Sequence, residues 1–255
     1  MQDTKLEKKF DYSAIPAGFY DKILFEEDGM RSFWHYQKFD AVLRSLKTRN
    51  GGKILDIGCS AGSFLSMLPE RQFALQIGVD IASKQIDYAK KYETDFRHFL
   101  VMDDKNFLNK NFSPQYFDAI TLIEVIEHLE EKEIAEIFAT AAQILKSGGE
   151  LVITTPNYCS SWPILEQIMA RFLKPSYEEQ HITKFTYFNF LSKIRQIYPD
   201  FDKYFAIEFQ TSSHLALFAL AGISSKFAKS LSQAVNARLW KMPFGALLIL
   251  KLRRK

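Results

Sequence analysis

The sequence predicts a doubly wound α/β fold on a mostly parallel sheet, and three observations carry that reading. Short apolar stretches alternate with helical ones from Lys53 to Thr155. The first of them, Lys53–Ile57, runs straight into a turn punctuated by Gly58 and Gly62. Acidic residues stand where strands should end, at Asp56, Asp80 and Asp103. Strand–helix alternation of this kind places helices on both faces of a parallel sheet.

The elements follow in order. Residues 1–29 read as a helical lid or arm, with Phe19 and Tyr20 inside the segment GFYD. Met30–Leu46 carries Phe33, Trp34, Tyr36, Phe39, Val42, Leu43 and Leu46 at helical spacing, and Asn50-Gly51-Gly52 ends it. Strands are then expected at Lys53–Ile57, Leu75–Asp80, Arg97–Met102, Phe117–Glu124 and Glu150–Thr155. Helices are expected at Ser63–Leu68, Ser83–Tyr92 and Glu130–Leu145, with Ser147-Gly148-Gly149 as a helix-stop turn. Beyond Pro156 the rhythm changes. Ser160–Lys174 and Tyr187–Tyr198 read as helices, and Tyr204–Gln210 and Phe244–Leu252 as two late strands around an insertion, Thr211–Pro243. No repeat, low-complexity tract or linker interrupts residues 1–255, which predicts one domain. Within it, 1–49 is the helical arm, 50–157 the ligand-binding core, and 158–255 the substrate-side insertions and terminal strands.

Composition narrows the class. With 255 residues, 47% of them apolar and 25% charged, the chain can bury a real core. Two cysteines, Cys59 and Cys159, make no disulfide framework, which suits a cytoplasmic protein. The start, MQDTKLEKKFDYS, lacks the apolar run of a secretory leader. Leu215–Ile223 and Phe244–Leu250 are too short to span a bilayer. Net charge is +3, but residues 182–255 carry +9 and the rest −6. That asymmetry fits either an anionic surface or ligand, or a solvated basic face.

The chemistry begins at KILDIGCSAG. Gly58 and Gly62 let the backbone turn sharply and approach a ligand, and Asp56 closes the strand. A dinucleotide fingerprint would need G-x-G-x-x-G, which is missing here. The stretch resembles the first motif of the class I S-adenosylmethionine-dependent methyltransferases, D-x-G-x-G-x-G, with Ser60 in place of the middle glycine. FDAITLIEVIEHL and LKSGGELVITTPN resemble that family's later motifs, so the match runs from Lys53 to Asn157. It implies a seven-stranded sheet closed by an antiparallel hairpin, with helical insertions. Asp80 lies 22 residues past Gly58, where an acidic side chain takes the ribose hydroxyls, with Ile81 beside it. The resemblance assigns adenine to Asp103, or alternatively Asp104.

Glu124, Glu127 and His128 follow strand four, and His181 stands 53 residues after His128 in HITKF. This E-x-x-E-H with a later H-x-x-K-F resembles the ubiquinone-pathway O-methyltransferases, and the small-RNA ribose O-methyltransferases show a related pattern. Both resemblances imply a divalent cation such as Mg or Zn held by Glu124, Glu127, His128 and His181. Other readings stay open: Glu124 facing the methionine end of the cofactor, Glu127 capping the next helix, or His128 and His181 as a metal-free base pair. The density of imidazole and carboxylate favours a hydroxyl acceptor, small or lipid-linked. The alternatives are a metal-free N- or sugar O-methyltransferase and a non-catalytic cofactor-binding module. Trp162, Ile168, Met169 and Phe172 could line an apolar cleft. Ser224–Lys241 reads either as a cover helix or as a basic amphipathic helix for peripheral contact with an anionic membrane. Its basic residues belong to no recognisable RNA module, which disfavours nucleic acid.

Overall fold

The computed structural model describes residues 15–47, 51–70, 72–104, 106–163, 181–213, 224, 227–228, 230–231 and 243–255. Its strands are β1 (Lys53–Ile57), β2 (Leu75–Asp80), β3 (Arg97–Val101), β4 (Phe117–Ile123), β5 (Leu145–Pro156), β6 (Phe205–Ser213) and β7 (Leu247–Arg254). They form one sheet in the order β3-β2-β1-β4-β5-β7-β6. β1 to β5 pair in parallel, and β7 runs antiparallel to both β5 and β6. The helices are α1 (Phe19–Phe25), α2 (Met30–Ser45), α3 (Ser63–Ser66), α4 (Ser83–Ala89), α5 (Phe107–Asn111), α6 (Glu131–Ile144), α7 (Phe190–Ile197) and α8 (Phe201–Tyr204).

Alternation along each strand sorts the apolar side chains into two cores. Leu55, Ile57, Ile120, Leu122, Leu151 and Ile153 meet Ile134 and Phe138 of α6, Phe190 and Ile194 of α7, and Phe201 of α8. Ile54, Ala119, Val152 and Ile249 meet Ala41 and Val42 of α2, Phe64 of α3 and Ile86 of α4 on the other face. The chain winds outward through β1, β2 and β3, then crosses back to β4. The strand order therefore reverses between β1 and β4, and the crevice at their carboxyl ends is where such sheets bind ligands.

Some boundaries differ from the sequence reading. Ser147-Gly148-Gly149 is not a free turn but lies inside β5. Phe117 pairs with Leu145 and Ala119 already pairs with Glu150, so the residues between bulge out of the ladder. α3 stops at Ser66, because Met67 and Leu68 donate to the carbonyls of Phe64 and Leu65 in a tighter final turn. α7 starts at Phe190 rather than Tyr187. Thr186 and Asn189 bond each other's backbone N–H reciprocally (2.8 and 3.2 Å) and set the start. Residues 1–14, Ile168, Met169, Phe172 and most of Ser224–Lys241 lie outside the described residues. Among the described residues, no helix is long and apolar enough to cross a membrane.

Candidate active site

At the end of β1 the backbone enters left-handed territory three times, at Gly58 (φ 76), Ser60 (φ 47) and Gly62 (φ 77). A Cβ on Gly58 would sit 2.5 Å from Val125, and one on Gly62 would sit 2.6 Å from the Phe99 ring. Glycine is thus required twice over at these positions, by conformation and by space. Ser60 carries the strain that the motif's middle glycine would avoid, on the order of 1 kcal/mol. Its N–H donates to Asp80 Oδ2 at 2.8 Å, and Ala82 N–H donates to Oδ1 at 2.8 Å. Asp80 therefore ties the end of β2 to the glycine turn. Burial raises its pKa, with the backbone donors of Ala82, Ser60 and Ile81 pulling the other way. Ile81 is exposed at the mouth of this crevice. Of the two candidates after β3, Asp104 is committed to its own turn: it accepts from Asn106 N–H and Lys110 Nζ at 2.6 Å each. Asp103 is the neighbouring exposed carboxylate.

Asp56 is buried under the turn and accepts from Thr121 Oγ1 at 2.6 Å. Burial pushes its pKa up to about 7, opposed by the Thr121 hydroxyl and the Lys38 charge and assisted by the charge on Asp80. Asp56 thus braces β1 against β4 from beneath and is not exposed to a ligand.

The second half of the site follows β4. Glu124 has φ 54, and its N–H is held by the Thr154 carbonyl and hydroxyl at 3.1 Å each. The chain then makes a single 3-10 turn, Ile126–His128. Ligand atoms of Glu127, His128 and His181 come within 4.8 Å of one another. The two imidazole rings are 5.1 Å apart. His181 is delivered by its own backbone, since Ile182 and Thr183 donate to the Glu127 carbonyl at 2.8 and 3.0 Å. Tyr158 places its hydroxyl 2.8 Å from His181 Nδ1.

Three of the four candidate ligands therefore converge, and the fourth does not. The carboxylate of Glu124 is turned to the Nζ of Lys38 on α2, and Glu124 is absent from the cluster. Glu127 does not cap the next helix. Glu130 and Glu133 do so with a capping box, while Glu127 is fully buried. Among the described residues no donor reaches either Glu127 carboxyl oxygen in good hydrogen-bond geometry, and the nearby Thr155 hydroxyl acts on the carboxyl only as a weak opposing influence on its pKa. Burial pushes the Glu127 carboxyl up to about 8, opposed by the charge of His181 and raised further by that of Glu124.

Two contributors were invisible in the sequence reading. Lys38 shares a helix face with the half-buried Trp34 and the buried Val42, so a lysine on an apolar helix face was the available signal. Asp21 of α1 is buried and accepts from Ser63 Oγ (2.6 Å), Lys91 Nζ (2.7 Å) and Tyr92 OH (3.0 Å). It fastens the N-terminal arm over α3 and α4, and nothing local announced it.

The unpartnered Glu127 has a measurable consequence. Its carboxyl is protonated in the folded ligand-free chain up to about pH 8, whereas unfolded it ionises near 4.5. Unfolding therefore releases a proton between those values, and stability falls as pH rises through that window, by at most about 1.4 kcal/mol per pH unit. Asp56 acts in the same sense between 3.8 and about 7. Urea unfolding of Glu127→Gln should show a flatter decline from mildly acid to mildly alkaline pH. A variant that kept the full wild-type slope would refute this reading.

A family model described as a methyltransferase domain matches residues 30–194. A ubiquinone biosynthesis O-methyltransferase of Rhodopseudomonas palustris (strain TIE-1) is 29% identical over 164 residues, 58% of this chain and 63% of that protein. One from Bradyrhizobium diazoefficiens is 34% identical over 122 residues, 48% of this chain and 46% of that protein. This chain spans less than two thirds of the length of these curated relatives. A solved magnesium protoporphyrin IX methyltransferase from Synechocystis PCC 6803 with bound SAH gives a TM-score of 0.58 at 18% identity, covering 92% of this chain and 93% of that one. A geranyl diphosphate methyltransferase in complex with SAM gives 0.60 at 16% identity, covering 95% and 94%. At these identities the solved structures speak for the fold.

Proposed function

This chain belongs to the methyltransferase-domain family, and we propose that it is an S-adenosylmethionine-dependent enzyme that methylates a hydroxyl oxygen of a small or lipid-linked acceptor. The observation that carries the oxygen assignment is the convergence of Glu127, His128 and His181 within 4.8 Å just past β4. Methyl transfer from a sulfonium asks for in-line positioning and the removal of one proton. S-adenosylmethionine, when bound by the Gly58–Gly62 turn and Asp80, would supply a methyl group activated as a sulfonium and would be left as the thioether. The hydroxyl proton leaves to a base, and an imidazole is suited to take it. An amine acceptor would need no such investment. The curated relatives named as ubiquinone biosynthesis O-methyltransferases point the same way.

The two halves of the site are joined through Gly58, which packs on Val125 directly after Glu124. Glu124 and Lys38, paired with each other, would meet the amino-acid end of a bound cofactor, where a carboxylate suits its ammonium and a lysine its carboxylate. Trp162, buried 4.9 Å from Trp34 and 6.2 Å from the His181 ring, offers the acceptor an apolar wall.

The cluster also fits a divalent cation. A buried carboxyl with both oxygens unpartnered, beside two imidazoles, is a donor set that a borderline cation would complete. Glu127, His128 and His181 would hold it, and when bound it would lower the pKa of the acceptor hydroxyl. Dialysis against a strong chelator should then abolish methyl transfer, and Mg²⁺, Mn²⁺ or Zn²⁺ should restore it. Full activity in verified metal-free protein would reject the cation and leave His181 as the base.

A further inference from the structure

We propose that Tyr158 is a positioning residue for His181: its hydroxyl takes up Nδ1, so that the ring presents Nε2 toward Glu127 and His128. The inference rests on His181 working in the site as described above, and it adds a residue outside the sequence motifs.

Tyr158 is unusually well fixed. It follows Asn157, a fully buried side chain that bonds four backbone groups. Asn157 Nδ2 donates to the carbonyls of Pro243 (2.7 Å) and Gly245 (2.8 Å), and its Oδ1 accepts from Cys159 and Tyr187 N–H at 3.1 Å each. Tyr158 N–H itself donates to the Phe185 carbonyl at 2.8 Å. The end of β5, the start of β7 and the 185–187 segment thus share one anchor, and Tyr158 projects from it. Its ring meets the His181 ring edge-on, at 89° and 6.2 Å between centroids.

His181 is therefore gripped at two points. Its backbone neighbours hang on the Glu127 carbonyl, and its ring is pinned by the Tyr158 hydroxyl. An imidazole has two nitrogens on opposite sides, and the partner of one decides what the other can do. A ring engaged at Nδ1 turns Nε2 to the other side. If a cation or an acceptor proton is to be met by His181, the Nδ1 partner sets the ring's orientation, and Nε2 keeps a free lone pair only in the tautomer whose Nδ1–H donates to the Tyr158 oxygen. Such partners behind a metal-binding imidazole are typically worth about 10- to 100-fold in metal affinity.

The test is Tyr158→Phe in the full chain, which keeps the ring and removes only the hydroxyl. Two readouts are independent of turnover. Side-chain nitrogen NMR of the ligand-free protein should show one dominant tautomer for His181 in the wild type and a mixed population in the variant. Titration with Co²⁺ alone, followed by its visible absorption, should show affinity falling about 10- to 100-fold. S-adenosylhomocysteine affinity should stay at the wild-type level. If it falls too, the Co²⁺ comparison is set aside and the His181 tautomer decides: unchanged in Tyr158→Phe, it overturns the proposal, and redistributed, it sustains it. Co²⁺ binding equally tightly to wild type and Tyr158→Phe would overturn the proposal while leaving the cation reading intact. If the wild type binds no Co²⁺, the cation reading fails, and the NMR decides alone: an unchanged His181 tautomer in Tyr158→Phe overturns the proposal, and a redistributed one sustains it.

Discussion

Replacing His181 by alanine should lower turnover by roughly 10²–10⁴-fold, the range expected for losing a general base, while cofactor affinity stays near the wild-type value. The asymmetry follows from where the residue sits. Its ring lies 5.1 Å from that of His128 and within ligand-atom reach of Glu127, past the end of β4, whereas the ribose is assigned to Asp80 at the end of β2. Losing a contact made only to the acceptor's departing proton weakens transition-state stabilisation and leaves cofactor binding alone. The fold should survive, because the bonds from Ile182 and Thr183 to the Glu127 carbonyl are backbone bonds. Initial rates with calorimetry of S-adenosylhomocysteine separate the two effects. Full turnover in the variant would remove His181 from the chemistry.

Asp80→Ala should act on the opposite side of that division and weaken S-adenosylmethionine binding on the order of 10²–10⁴-fold. Each hydrogen bond to a charged group is worth roughly 1.5–3 kcal/mol, and a vicinal diol makes two. The loss has a second source. The same carboxylate holds the N–H of Ser60, the residue at φ 47 in the middle of the turn. Without that acceptor, the strained turn loses one of the contacts that define it. Asp80→Asn retains an acceptor oxygen and should fall between the two. Calorimetry finding Asp80→Ala as tight as the wild type would dismiss the ribose assignment.

Much of this was legible in the sequence, for identifiable reasons. A strand buried on both faces reads as a continuous apolar run, so β1, β2 and β4 were evident. Gly58 and Gly62 were legible because a left-handed backbone packed against Val125 and Phe99 leaves few other choices. The convergence of His128 and His181 was anticipated from chain direction, and the structure brings them together. The division of labour between Glu124 and Glu127 was not legible. It depends on the positive φ of Glu124 and the 3-10 turn after it, which aim one carboxylate at Lys38 and bury the other beside the imidazoles. Lys38, Asp21 and Tyr158 act only through partners far away in sequence, 86, 42 and 23 residues distant in their principal bonds. Local patterns cannot encode such pairings. The bulge at Ser147–Gly149 was misread as a turn because glycine pairs announce a kink without saying whether pairing resumes in the same strand.

The most direct measurement is the fate of the methyl group itself. S-adenosylmethionine labelled with ¹³C at the methyl would be offered, with the wild type and with His181→Ala, to matched hydroxylated and aminated acceptors bearing an apolar tail. The product would be identified by carbon NMR. The label is expected on oxygen, as a methyl ether, with the signal nearly lost in His181→Ala. A label on nitrogen or carbon, or a methyl ether formed equally well without His181, would contradict the account.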